Sequence, residues 1–212
     1  MNYFDFINPE NWMGGYYELS MEFQPLGDDK RLNDALLSLT NCNFFKGLWQ
    51  TREDFQTSKL PLPIKIEPDS INQLYGTLSL RDGNTLPCLV SLIRINEESD
   101  WLDISIPQAS FNSKYAYTYP LTKELNPWLE KAEKMYITLA EIIYKNSPFD
   151  LAVIGEEVSG YTSQNSISID YLGKATCILP MNLQRKLDVQ GEGKGKSLSS
   201  GLLLFYEVYG DI

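Results

Sequence analysis

Histidine is absent from the chain, and that absence removes whole classes of chemistry. Imidazole is the usual general base near neutral pH and the commonest metal-binding side chain. Without it, Ser-His-Asp and Cys-His nucleophile systems, HExxH sites and mixed Cys/His zinc sites are excluded. Cysteine is scarce as well: Cys42, Cys88 and Cys177 are odd in number, stand far apart and form no CxxC pair. Such spacing supplies neither a disulfide framework nor a thiolate zinc cluster, and it fits buried, reduced thiols. Long apolar runs are missing too. No stretch approaches the ~18 residues that read as a bilayer span, and residues 1–11 have neither the basic start nor the apolar centre of a leader. These features predict a cytoplasmic protein without a membrane partner.

Positive charge is the sparse sign, with 18 Lys and Arg against 28 Asp and Glu and a formal net charge of -10. An acidic surface repels phosphate backbones, so no nucleic-acid partner is expected, whereas a basic protein partner is electrostatically welcome. Apolar residues make up 43% and charged residues 22% of the chain, a balance that buries a core rather than staying disordered.

Tyr16–Phe23 alternates Tyr17, Leu19, Met21 and Phe23 with Tyr16, Glu18, Ser20 and Glu22, the period of a half-buried strand. Asp29–Thr40 then spaces Leu32, Ala35, Leu36 and Leu39 as on a helix with acidic residues at its start. Residues 74–80, an Asp82-Gly83 turn and residues 86–95 predict a hairpin, and residues 101–106 a further strand. Residues 62–66 read as a Pro-containing edge strand. A second long helix is predicted with Asn126 as its cap, Pro127 at its first position, and Trp128, Ala132, Met135, Leu139, Ile142 and Ile143 on one face. Glu130 with Lys134 and Glu141 with Lys145 form i,i+4 pairs on its solvated side. Residues 149–154 then read as a buried strand, and residues 167–169, 175–179 and 202–208 as shorter strands.

Residues 190–201 read as a flexible Gly, Ser and Lys-rich loop. Its Gly191, Glu192, Gly193, Lys194, Gly195, Lys196 and Ser197 resemble a phosphate loop superficially, but Gln190 stands where the motif needs its first glycine. The predicted architecture is α+β: one domain over residues 1–212, an extended, mostly antiparallel sheet, and two main helices packed on one face.

Two groups are candidate binding residues. Glu156 and Glu157 follow an apolar run, where a strand end can present carboxylates; only an irregular turn brings adjacent side chains together. Tyr115, Tyr117 and Tyr119 alternate, so an extended backbone places three phenols on one face, suited to contacts with a partner. No cofactor is expected, no metal ligand set is recognisable, and no catalytic residue can be named. Asp103 and Asp150 are the carboxylates considered as additional ligands if Glu156 and Glu157 held Mg or Ca. The aromatics Tyr3, Phe4, Phe6 and Trp12 are expected to dock on the domain or on a partner.

The leading expectation is an acidic protein-binding domain that holds a basic partner, an immunity-protein-like neutraliser in its surface chemistry. The alternatives are a histidine-free, carboxylate- or metal-dependent hydrolase or transferase, and a structural or assembly subunit. Without histidine, charge and binding are expected to stay nearly flat between about pH 5 and 8 unless a side chain is strongly shifted.

Overall fold

A computed structural model describes residues 1–190 and 195–207. The strands are β1 (Tyr16–Phe23), β2 (Phe45–Trp49), β3 (Ser70–Ser79), β4 (Thr85–Arg94), β5 (Asp100–Pro107), β6 (Leu151–Glu156), β7 (Thr176–Leu179), β8 (Lys196–Ser197) and β9 (Leu203–Phe205). They form one antiparallel sheet in the order β2-β3-β4-β5-β1-β6-β7-β9-β8. The α-helices are α1 (Tyr3–Ile7), α2 (Asp29–Thr40), α3 (Gln108–Asn112), α4 (Leu129–Asn146) and α5 (Met181–Lys186). This is the α+β, single-domain architecture expected, with α2 and α4 as the two long helices.

Alternation along the central strands explains the layering. Tyr17, Leu19, Met21 and Phe23 of β1, with Leu102, Ile104 and Ile106 of β5, join Leu32, Leu36 and Leu39 of α2 and Leu139, Ala140 and Ile143 of α4 in the main core. The Asp28 side chain accepts from Arg31 N at 2.9 Å and so caps α2, satisfying an amide that the first helical turn leaves open. Tyr136 of α4 donates its hydroxyl to Tyr17 O at 2.9 Å, giving a fully buried phenol its partner. On the opposite sheet face a smaller core gathers Leu151, Val153, Cys177, Leu179 and Leu183 with Val158 and Ile167. All three cysteines are buried and free. Burial raises the thiol pKa of Cys42 to about 11 and that of Cys177 to about 12.

Several expectations need correction. Residues 62–66 form no strand; Ile64 N instead donates to the Asn33 side chain at 2.7 Å, so this segment is tied to α2 rather than to a ladder. Asn126 does not cap α4: its side chain accepts from Thr118 N at 2.9 Å and donates to Thr118 O at 2.7 Å, and the helix begins beyond Trp128. Glu130 pairs with Lys134 at 2.6 Å as expected, but Glu141 accepts from Ser199 N at 2.8 Å. Residues 167–169 form no strand, and a single 3-10 turn spans Ile169–Tyr171; the expected 202–208 strand is Leu203–Phe205, with residue 208 outside the described residues. Of the expected 190–201 loop, residues 191–194 lie outside the described residues, while Lys196–Ser197 pairs with β9. The edge strand β2 escaped the sequence pattern because its register shifts between Gly47 and Trp49. A Cβ on Gly47, where φ is +135°, would lie 2.6 Å from Gly76 Cα, so only glycine fits that bulge.

One buried ion pair joins the sheet to α2. Arg94 Nε and Nη2 each reach the Asp100 carboxylate at 2.8 Å, while Nη1 donates to Asp29 at 2.5 Å and to Ile66 O at 2.9 Å. Gly27 N also donates to Asp100, at 2.9 Å. Removing one member of such a pair strands a charge in the interior, which costs about 3–5 kcal/mol. Arg94→Met is therefore expected to lower stability by that amount in urea unfolding, with a smaller loss when Asp100→Leu is added.

Candidate functional site

The polar face of β1 is not a solvent face. Glu18, Ser20 and Glu22 are buried there, beside Asp103 and Ser105 of β5, and the loop of residues 157–166 folds over them. Glu18 accepts from Ser159 N at 2.7 Å and from the Ser105 hydroxyl at 3.0 Å. Asp103 accepts from the hydroxyls of Ser20 at 2.5 Å and Ser159 at 2.6 Å. Glu22 accepts from the Ser99 hydroxyl and from Gln164 N, both at 2.5 Å. Each carboxylate is thus held by donors from the sheet, the loop or both.

Burial raises all three pKa values. Glu18, which also faces the neighbouring Asp103 charge, is pushed to about 7 despite the bonds from Ser159 and Ser105. This carboxyl supplies the strongly shifted group that a histidine-free sequence left open, and charge near neutral pH is not flat. Among the described residues no cluster of three Cys, Asp or Glu side chains is arranged to hold a metal ion. Asp103 belongs to the enclosed group, and Asp150 accepts from Gln24 N at 2.8 Å and pairs with Arg31 at 2.9 Å. Neither hydrogen-bonds with Glu156 or Glu157 in these interactions.

Glu156 and Glu157 stand exposed at the end of β6. Glu157 has φ +50°, the irregular turn that adjacent residues need if both are to serve one corner. Its Oε1 accepts from Tyr16 N at 2.5 Å, and Glu156 accepts from Gln108 Nε2 at 2.6 Å. Gln108 in turn accepts the Tyr117 hydroxyl at 3.0 Å. Burial raises the Tyr117 phenol pKa, and the charges of Glu156 and Tyr119 raise it further. Gly15 completes the corner: a Cβ there would fall 2.6 Å from Glu157 Oε1 and 3.1 Å from Gln108 Nε2.

The three tyrosines do not act alike. Tyr119 is 76% exposed and Tyr117 is half-buried beside Glu156. Tyr115 turns away: its ring stacks on Trp128 with centroids 4.9 Å apart, and its hydroxyl donates to Asp82 at 2.9 Å and accepts from Asn84 at 3.0 Å. Tyr115 therefore fastens the β3–β4 turn and leaves the corner. Of the N-terminal aromatics, Phe6 is fully buried against Trp49 and Phe55, whereas Phe4 is 78% exposed. The missed residues are Glu18, Glu22 and Gln108. Alternation in β1 marked the two glutamates as polar-facing, but nothing local shows that a loop some 140 residues later covers them.

Compared with known families, curated proteins and solved structures, the chain gives no match to any of them. Among the described residues no helix is long and apolar enough to cross a membrane.

The shifted Glu18 predicts a pH dependence with a defined sign. Its folded pKa lies above the ordinary 4.5, so unfolding releases a proton, and stability falls as pH rises from about 4.5 through about 7. Glu22 and Asp103, raised in the same direction, add to the trend. Urea midpoints are expected to drop between about pH 6 and about pH 8 by an amount worth about 1.4 kcal/mol from Glu18 alone, and Glu18→Gln should flatten that slope.

Proposed function

We propose that this chain is a cytoplasmic protein-binding domain that captures a basic partner at the corner formed by Glu156, Glu157, Tyr117 and Tyr119. The observation that carries the reading is the meeting of two exposed carboxylates with a half-buried and an exposed phenol at one end of the sheet. Gln108 ties Tyr117 to Glu156, and Tyr16 N holds Glu157. Glu157 and Gln108 are thereby preorganised, which limits the side-chain ordering that binding must impose. Exposed Met13 and Tyr119 supply apolar contact area beside the charges. The net charge of -10 steers a cationic partner toward the molecule from a distance. In surface chemistry this is what an immunity-like neutraliser of a basic protein needs.

The test uses the immobilised full chain with native lysate at low salt, followed by association kinetics on the captured protein. Association should slow steeply as salt rises. Glu156→Lys and Glu157→Lys should each weaken binding about tenfold, equivalent to about 1.4 kcal/mol, and Tyr119→Ala should speed dissociation. Gly15→Ala is the positional control, since its methyl displaces only the flexible side-chain ends of Glu157 and Gln108. It should weaken binding while leaving the urea midpoint within about 0.5 kcal/mol of the parent chain. Salt-insensitive association, or binding indifferent to all four substitutions, would overturn the reading.

A further inference from the structure

The β2 end of the sheet carries a cavity of about 440 Å³ whose chemistry is opposite to that of the whole molecule. No Asp or Glu lines it, although the chain has a net charge of -10. Two cationic side chains do, beside Met1: Lys46 on β2, and Lys59 on the segment that follows. Among the described residues neither sits in an ion pair, a state they share with Lys114, Lys145, Lys174, Lys186 and Lys196, and what sets these two apart is that both line one cavity. Like charges near one cavity in an acidic protein repel each other, and neither has a carboxylate to answer it.

A second feature belongs to a residue of the same wall, with its polar atom buried behind the cavity surface. Trp49 lines the cavity, and among the described residues its Nε1 is the single buried side-chain nitrogen or oxygen without a hydrogen-bond partner. An unbonded buried donor is costly, and buried side-chain donors are otherwise satisfied throughout the described protein. Deeper polar capacity comes from Ser79 and Thr85, whose hydroxyls lie 3.1 Å apart. One donates to the other, which leaves a hydroxyl proton for a third oxygen. The rest of the wall is formed by Met1, Gln56 and Thr77 and by two rings: Trp49 and Phe55 meet with ring centroids 5.0 Å apart and are backed by Phe6. The β-bulge at Gly47 changes the register just before Trp49, so Lys46 and Trp49, three residues apart, line one cavity.

We infer that this cavity binds a small organic carboxylate, its anionic end between Lys46 and Lys59 and its apolar body against Trp49 and Phe55. The ligand chemistry follows from the lining: donors and cations without acceptor charge select an anion, and the two ring walls select an apolar body over a fully hydrated inorganic ion. The volume falls within the ordinary range for small-molecule sites, about 300–1,000 Å³. None of the residues at the Glu156–Glu157 corner takes part, so the inference stands apart from partner binding.

The experiment titrates the full chain with benzoate, phenylacetate and hexanoate, and with benzamide and inorganic phosphate as controls. It follows the indole N–H resonances by NMR and heats by calorimetry. The expected result is saturable binding of at least one carboxylate with a shift in one indole resonance, no comparable response to benzamide, and weaker binding of phosphate. Lys46→Met and Lys59→Met are exposed substitutions that spare the core; each should weaken the carboxylate about tenfold, and together they should abolish it. Trp49→Phe assigns the shifted resonance, and if that variant fails to fold the lysine variants carry the test alone. No binding by any of the three carboxylates, an equal response to benzamide, a preference for phosphate, or binding unchanged in the double lysine variant would each overturn the inference.

Discussion

A carboxylate buried on a sheet face must find donors, and much of this architecture follows from meeting that demand on β1. Glu18 and Glu22 cannot be left to the strand ladder, whose amides are already engaged with β5 and β6. Their partners come from Ser99 and Ser105 and from the amides of Ser159 and Gln164. The loop that follows β6 therefore has to lie across the sheet rather than extend into solvent. Its descent places Val158 and Ile167 over Leu151 and Val153, and a second small core forms where otherwise one sheet face would be wet. The position of Glu157 at the start of this loop, in a left-handed conformation, belongs to the same descent.

The other face is governed by apolar alternation and by one ionic junction. Arg94 and Asp100 close the ends of β4 and β5, and Asp29 brings the first turn of α2 to the same guanidinium. Hydrophobic burial fixes which face α2 covers, while the directional bonds of Arg94 fix where along the strands it begins. Burial alone permits sliding; a forked guanidinium does not.

Much of this frame is legible in the sequence because it depends on local periods. Tyr16–Phe23 and Asp29–Thr40 can be read residue by residue, since each element's apolar positions repeat at the spacing of its own geometry. Legibility fails where the deciding partner is distant. Residues 62–66 have a strand-like composition, yet the Asn33 side chain takes the Ile64 amide that a ladder would have used. Asn126 looks like a helix cap but closes the preceding loop on itself. Tyr115, Tyr117 and Tyr119 alternate as read, but Trp128 and Asp82 claim the first of them. The carboxylates of β1 form the largest gap, because polarity in an alternating strand implies water unless a remote segment arrives to replace it.

The bulge at Gly47 has a consequence beyond its own turn. A nine-stranded sheet has two outer strands, and an open outer strand is a template on which another chain can polymerise. Here one border is β2, whose register breaks at Gly47 and whose Leu48 also has positive φ, at +67°. The other is β8, only two residues long. Among the described residues neither border offers a long straight ladder for a foreign strand to copy, so this wide sheet carries little invitation to fibre growth.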